Sequence, residues 1–376
     1  MSFSLRRFSA LCRKESYQIV RDPSSILIAF VLPVLLLFIY GYGINLDANR
    51  MRLGIVQQDG GAEASRFVQT LQASPYIDAS LSTSESTMRQ QLKNGSVRGV
   101  VILRSDFSAK VRQGQGAAAI QLLTDGAEPN TANFVASYVQ GIWQLWMQQR
   151  QQDQGLVASP ALNLQPRYWF NPSTVSRNYL VPGSISVIMT IIGALLTSLV
   201  VAREWERGTM EALLSTPVTR SELLLSKIIP YYLLGMAAMA MCVLVATLIM
   251  GVPLQGSLWV LFVVTSLFLG SALGLGLLLS TTTRNQFVAA QFALTAAFLP
   301  AIMLSGFVFE IRSMPLPVQL VTYLIPARYF VSALQTLFQA GEIWPVLLIN
   351  LLFLLLSAVF WLGLTAWQTP RRLDGN

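Results

Sequence analysis

Long apolar stretches alternate with shorter polar ones along this chain. A helix needs about 20 apolar residues to cross the hydrocarbon core of a bilayer. Six stretches of about that length contain no charged residue: 26–44, 180–202, 228–251, 258–280, 287–309 and 343–367. Gly251 and Pro253 supply a turn between the third and the fourth. The pattern therefore predicts an α-helical polytopic membrane protein with six transmembrane helices.

The distribution of Lys and Arg between the stretches predicts the topology. Short loops rich in Lys and Arg stay on the cytoplasmic side, whereas long domains cross largely regardless of charge. Basic residues are concentrated in 1–25, 203–227, 281–286 and 368–376, whereas 252–257 and 310–342 contain only Arg312 and Arg328. Both termini are therefore predicted to be cytoplasmic, and 45–178 to form an extracytoplasmic domain.

Residues 1–25 form an amphipathic arm. On a helical wheel one third of the circle is basic: Arg6, Arg7, Arg13, Lys14 and Arg21. The opposite side is apolar, with Glu15 as its one misfit: Leu5, Phe8, Cys12 and Ile19. This arrangement predicts an interfacial helix whose cations face anionic lipid. The alternative is an ordinary positive flank with accidental periodicity.

Segment 45–178 alternates short β-like runs with helix-like runs, which predicts a small α/β domain between spans 1 and 2. A longer helix is predicted over 131–152, with one apolar stripe: Phe134, Tyr138, Ile142 and Leu145. The stripe serves either as core packing or as a docking face for a partner protein. The carboxylates of this domain lie mostly at element ends, where turn and cap roles explain them.

Composition excludes several classes of function. Only 12% of the residues are charged, about half the share in soluble domains, so a soluble enzyme is excluded. The chain has no His and two Cys, which excludes His-based catalysis and Cys-rich zinc sites. No G-x-x-x-x-G-K-[ST] phosphate loop is present. We therefore expect this chain to bind no cofactor of its own, and nothing indicates a nucleic-acid partner.

The polar loop 203–227 has mixed charge and a recognisable internal order. Thr219 and Glu222 have capping-box spacing, which predicts a helix running into span 3. A bend near Gly208 and a short helix over 210–214 are predicted before it. Mixed charge beside apolar side chains favours a protein partner over lipid. A solvated loop is the alternative.

Two further features concern the membrane part. Gly270, Gly274 and Gly276 form a small-residue face for close helix packing, either within the bundle or between subunits. Segment 310–342 is interrupted by prolines and therefore predicts re-entrant or interfacial outer helices between spans 5 and 6. Because the six apolar stretches contain no Asp, Glu, Lys, Arg or His, ion-coupled transport is disfavoured.

These motifs give the chain a resemblance to a known family. It resembles permeases of the type-2 ATP-binding-cassette (ABC-2) exporters, in the bacterial group with a large extracytoplasmic domain between the first two spans. The matching residues are Lys14-Glu15, Arg21-Asp22-Pro23, Arg203-Glu-x-Glu-x-Gly-Thr209-Met-Glu211, Thr216-Pro217, Lys227, Ser305-Gly306, Met314-Pro315 and Pro326-Ala-Arg328-Tyr329. One departure is Phe309-Glu310, where many relatives carry a proline after the Ser-Gly turn.

The resemblance implies a division of labour between subunits. The loop would couple to a separate ABC ATPase, which binds ATP and Mg, through Glu204, Trp205, Glu206, Arg207, Gly208, Thr209, Glu211, Leu213 and Leu214. An outer gate would be formed by Ser305, Gly306, Pro326, Arg328 and Tyr329. The other expected partners are the lipid bilayer, a second permease subunit, identical or paralogous, and a periplasmic adaptor. The expected location is the bacterial inner membrane.

The resulting hypothesis is an ATP-driven exporter of amphipathic compounds, such as drugs or lipids. Within transport, the alternative is a permease for cell-envelope polysaccharide or another glycan. Outside transport, the alternatives are a sensory receptor with an outer ligand-binding domain and, third, a membrane-embedded enzyme. A large outer domain argues mildly against glycan export, and six spans are more than a receptor needs.

Overall fold

The computed structural model describes residues 3–43, 51–113, 120–124, 129–153, 171 and 175–369, with the side chains of 129, 130 and 214 left out. The chain divides into two compact units. One unit comprises Met1–Asn45 and Arg167–Asn376, and the other is Leu46–Pro166.

Two helices begin the first unit. Helix α1 spans Leu5–Arg21 and helix α2 spans Pro23–Gly43. Asp22 separates them because a residue before proline disfavours the helical conformation, and its backbone is extended. Its side chain accepts a hydrogen bond from Ser24 N at 3.1 Å, which caps α2.

The second unit is an α/β domain built in chain order from β1 Met51–Gln57, α3 Ala62–Ala73, β2 Ile77–Ser82, α4 Glu85–Lys93, β3 Gly99–Leu103, α5 Phe107–Arg112, β4 Ile120–Thr124 and α6 Pro129–Asp153. The sheet order is β2-β1-β3-β4. Strand β1 runs parallel to β2 and β3, and β4 runs antiparallel to β3. The predicted alternation of strands and helices is confirmed.

The apolar stripe predicted on α6 is half right: Ile142 is buried and Tyr138 packs against the core, but the centre of the buried face is shifted. The buried positions of α6 are Val135, Val139, Ile142 and Trp146. Phe134 and Leu145 are 46% and 57% exposed. Trp146 sets the rotation, because its ring packs edge-on against Phe67 in an aromatic cluster, with centroids 5.4 Å apart. This cluster forms the core beneath α6.

The remainder of the first unit is helical. Its helices are α7 Ser176–Glu206, α8 Thr209–Leu214, α9 Arg220–Ile249, α10 Leu258–Thr283, α11 Gln286–Leu304, α12 Leu316–Thr322, α13 Pro326–Gln339 and α14 Trp344–Gln368. Six helices of the described chain are long and apolar enough to cross a membrane, namely α2, α7, α9, α10, α11 and α14. The prediction of a helical membrane protein with six candidate spans is confirmed.

Helix α7 lies at the centre of this unit. The most apolar 18-residue segment of α7 is 89% buried, whereas the corresponding segments of α2, α11 and α14 are 22% buried. Helix α10 packs against α7 and α14. At Gly276 an added Cβ would lie 2.1 Å from Thr197 Oγ1 of α7, and at Gly274 it would lie 3.0 Å from Leu362 N of α14. These glycines allow the helices to approach closely within the chain.

Helix α13 packs into the bundle. Phe330 is completely buried and stacks on Phe268 of α10, with ring centroids 4.0 Å apart. Asn350 of α14 donates a hydrogen bond to Ser332 Oγ of α13 at 3.1 Å. Segment 310–342 therefore contributes one helix that is part of the bundle core.

Candidate coupling site

The loop between α7 and α9 has an ordered backbone. Helix α7 continues beyond the apolar stretch to Glu206, and Gly208 then adopts a left-handed conformation with φ of +68°. Such a φ costs a residue with a Cβ about 1–2 kcal/mol, whereas glycine adopts it freely. Helix α8 follows, and the Thr219–Glu222 capping box begins α9. The predicted bend, short helix and capping box are confirmed.

A buried lysine lies at the centre of the site. Lys227 of α9 is 1% exposed. Its Nζ donates a hydrogen bond to Glu15 Oε1 of α1 at 2.8 Å and lies 3.7 Å from Glu204 Oε1 of α7. A buried charge is tolerated only when it is paired, so this lysine fixes three helices relative to one another.

Glu204 extends the network to helix α8. Its Oε1 accepts a hydrogen bond from Lys14 Nζ at 2.5 Å, and its Oε2 accepts one from the hydroxyl of Thr209, the first residue of α8. Lys14 also lies 3.6 Å from Glu15. Two lysines thus face two glutamates, so the cluster is electrically balanced, and it joins α1, α7, α8 and α9. We call these four charged residues with Thr209 the ion-pair network.

Two more ion pairs fix α1 at its ends. Arg7 binds Glu222 at 3.0 Å. Arg203 of α7 binds Asp22 at 3.0 Å. Burial alone would raise the pKa of Asp22, but the hydrogen bond from Ser25 and the Arg203 guanidinium outweigh it, so its pKa lies below the usual value. The carboxylate therefore remains charged and paired.

The α10–α11 turn is attached to the same end of α7. Glu206 accepts a hydrogen bond from Gln286 N at 2.8 Å and another from the Gln286 side chain. The Arg284 guanidinium stacks over the Trp205 ring at 4.5 Å, a favourable cation–π contact. The motif residues Trp205 and Glu206 therefore connect the loop to α11.

The remaining predicted loop residues divide between surface and core. Arg207, Gly208, Thr209 and Glu211 are exposed. Leu213 is half-buried against the main core, and the side chain of Leu214 lies outside the described residues. Met210, which was not predicted, is 1% exposed and anchors α8. The exposed residues therefore form a polar surface on an anchored helix.

Sequence reasoning placed Glu15 on the apolar face of α1, where it is buried, but found no partner for it. It was the misfit of an apolar helical face, yet it is 3% exposed and pairs with Lys227. The physical reason is that this face of α1 packs against α9, which brings its own buried charge. A signal was available, because Glu15 and Lys227 are opposite charges that each lie among apolar residues.

The predicted outer-gate residues lie apart from the network. Gly306 has a φ of +87°, and Pro326 begins α13. The Arg328 guanidinium lies 3.9 Å from the Tyr323 ring centroid and 5.9 Å from that of Tyr329. Ser305, Gly306 and Arg328 line a cavity of about 800 Å³ beside α13.

Six long apolar helices define a multi-pass membrane protein, and the comparisons with known proteins identify its family. Residues 23–367 match the family described as "ABC-2 family transporter protein". The chain therefore belongs to the ABC-2 transporter family, and the resemblance drawn from its motifs is confirmed. It is a transporter permease.

Three relatives are similar over nearly their whole length. The chain is 58% identical to "Probable multidrug ABC transporter permease YbhS" of Escherichia coli (strain K12), over 99% of this chain and 98% of the relative. It is 29% identical to "Probable multidrug ABC transporter permease YbhR" of the same strain, over 92% and 95%. It is 22% identical to "Linearmycin resistance permease protein LnrN" of Bacillus subtilis (strain 168), over 90% and 92%.

Proposed function

We propose that this permease is the membrane half of an ATP-driven exporter that moves amphipathic compounds, drugs or lipids, out of the cytoplasm or inner leaflet. A separate ABC ATPase would bind ATP and Mg and supply the energy. The observation that carries the proposal is the ion-pair network, which joins the exposed helix α8 to the membrane helices α7 and α9 through Glu204 and Lys227.

The mechanism follows from these contacts. Two exposed residues of α8, Thr209 and Glu211, offer polar and acidic groups to the ATPase surface. Closure of the ATPases on ATP would displace α8, and the Thr209–Glu204 hydrogen bond transmits that displacement to α7. Lys227 transmits it to α9 and to α1. Because packed helices move as rigid bodies, the membrane helices tilt and switch access from one side to the other.

The proposed cargo class rests on two observations. The relatives are named for multidrug transport and linearmycin resistance. The six apolar stretches offer dispersion contacts and no charge, which suits an amphipathic molecule better than a highly charged one.

The proposed assembly has two permease subunits, identical or paralogous, and two ATPases. The exposed apolar surfaces of α2, α11 and α14 would face lipid and the second subunit. We propose the bacterial inner membrane as the location, with both termini cytoplasmic. Segment 45–178 would then be periplasmic, and docking of an adaptor on it is part of the proposal.

The test is transport in inverted membrane vesicles with a fluorescent amphipathic dye, ethidium. We expect an ATPase to co-purify with the chain, and Glu206→Ala to lower dye export per ATP hydrolysed, because it removes the link to Gln286. The matched control is Asp78→Ala, an exposed carboxylate on β2 and outside the site, which should export normally. The proposal is wrong if no ATPase associates and the chain alone moves the dye on an ion gradient.

A further inference from the structure

A basic groove lies beside the ion-pair network, where α2 begins. It has a volume of about 690 Å³. Four cationic side chains line it, Lys14, Arg21, Arg203 and Arg207, against one carboxylate, Asp22. The groove therefore carries an excess of positive charge.

Two of these cations are not neutralised. Lys14 is paired with Glu204, and Arg203 is paired with Asp22. Arg21 and Arg207 are exposed, and within the described part of the chain neither forms an ion pair. Two guanidinium groups therefore face the groove without an anion, and guanidinium is the side chain best suited to bind a phosphate through two hydrogen bonds.

The depth of the groove points to a ligand in the membrane interface. Arg21 stands two residues before Pro23, where the apolar helix α2 begins. Arg203 is the first charged residue after the apolar stretch 180–202 of α7. The Asp22–Arg203 ion pair of 3.0 Å places the start of α2 and the end of the apolar stretch of α7 at the same level. Headgroups occupy a layer of about 5–8 Å on each side of the hydrocarbon core. Two residues of chain span about 7 Å at most, so Arg21 lies within the headgroup layer.

We propose that this groove binds the phosphate of an anionic phospholipid headgroup, held between Arg21 and Arg207. Tyr17 also lines the groove, but its hydroxyl accepts a hydrogen bond from Arg13 at 3.3 Å, so we do not assign it to the ligand. Arg207 lies one helical turn beyond Arg203, so it reaches the polar edge of the headgroup. The proposal rests on α2 and α7 crossing the bilayer, and it does not depend on the ATPase.

The experiment measures lipid binding to the full-length protein purified in a mild detergent. Native mass spectrometry counts phosphatidylglycerol and phosphatidylcholine bound to three proteins: the wild type, Arg21→Gln/Arg207→Gln, and the control Arg6→Gln/Arg13→Gln. Arg6 and Arg13 are exposed on the same helix α1 but lie outside the groove. The two double variants thus remove the same charge.

We expect the wild type and the control to prefer phosphatidylglycerol. The groove variant should bind it about 30-fold more weakly, since each basic side chain near an anionic surface contributes about fivefold. An equal loss in both double variants would show diffuse attraction and overturn the proposal, as would no loss in the groove variant or no preference for phosphatidylglycerol.

Two further arms separate other ligands. If inorganic phosphate displaces phosphatidylglycerol at comparable concentration, the site takes free phosphate and the lipid assignment is wrong. If the groove variant keeps the lipid but loses a co-purifying ATPase, the groove is a protein interface. Conversely, loss of lipid with the ATPase retained supports the lipid site and leaves the proposed function intact.

Discussion

Substituting Lys227 with methionine perturbs the ion-pair network at its most buried point. The ammonium is 1% exposed and lies 2.8 Å from Glu15 and 3.7 Å from Glu204. Methionine matches the apolar stem of lysine but removes the charge. Two glutamates would then share the single cation of Lys14, and the buried cluster would carry one uncompensated negative charge.

The magnitude follows from this imbalance. Removing one partner of a buried ion pair costs about 3–5 kcal/mol of unfolding free energy. Because Lys14 still lies 3.6 Å from Glu15, we expect the lower end, about 3 kcal/mol. The double variant Lys227→Met/Glu15→Met restores the balance and leaves the Lys14–Glu204 pair intact. Apolar replacement of a buried pair is often neutral, so the double variant should lie within about 1 kcal/mol of the wild type.

The assay is unfolding in detergent micelles with increasing dodecyl sulfate, followed by tryptophan fluorescence. The control is Lys93→Met, at the exposed end of α4, where a surface substitution should change the unfolding free energy by less than about 0.5 kcal/mol. The reasoning is refuted if Lys227→Met costs no more than this control, or if the double variant is no more stable than Lys227→Met.

Three further predictions concern packing, loop geometry and acid stability. Gly276→Ala should lower the yield of monodisperse protein in size-exclusion chromatography, because its Cβ would lie 2.1 Å from Thr197 Oγ1. The control Gly363→Ala should leave the yield unchanged, because a Cβ there would have no atom within 4 Å. Equal yields of the two variants would contradict the packing. Gly208→Asn should retain more dye export per ATP than Gly208→Val, since asparagine tolerates a φ of +68° better; the reverse order would argue against the bend. Burial alone would raise the pKa of Asp59, but hydrogen bonds from Ser108 and the Gly61 amide lower it. Its ionised form therefore stabilises the domain above the unfolded pKa of about 4, and this stability is lost as the pH falls through the folded pKa. The hydrogen-exchange protection factors of amides in β1 and α3 should fall over that range in the wild type and not in Asp59→Asn. Identical pH profiles of the protection factors would refute the assignment.

The membrane helices and the loop between α7 and α9 could be predicted because their signals are local. An apolar stretch of sufficient length identifies a span, and a glycine before a short apolar segment predicts a bend followed by a helix. Thr219 and Glu222 are three residues apart and cap α9 within one turn. None of these inferences needs information about a distant part of the chain.

The ion-pair network could not be predicted in the same way, because the residues that pair in it are far apart in sequence. Glu15 and Lys227 are separated by 212 residues, so a helical wheel of α1 alone makes Glu15 a misfit. The buried face of α6 was only partly predicted for a related reason. Apolar residues occur around much of that helix, and only packing of Trp146 against Phe67 selects the buried face.

The most direct test of the account is the number of dye molecules exported per ATP hydrolysed by the reconstituted permease–ATPase complex. The protein to compare with the wild type is Lys227→Met/Glu15→Met, because it should fold normally yet lacks the charged link from α9 to α7 and α1. The account predicts that the ATPase remains bound and hydrolyses ATP while export per ATP falls severalfold. An unchanged ratio would show that the ion-pair network does not couple the ATPase to transport.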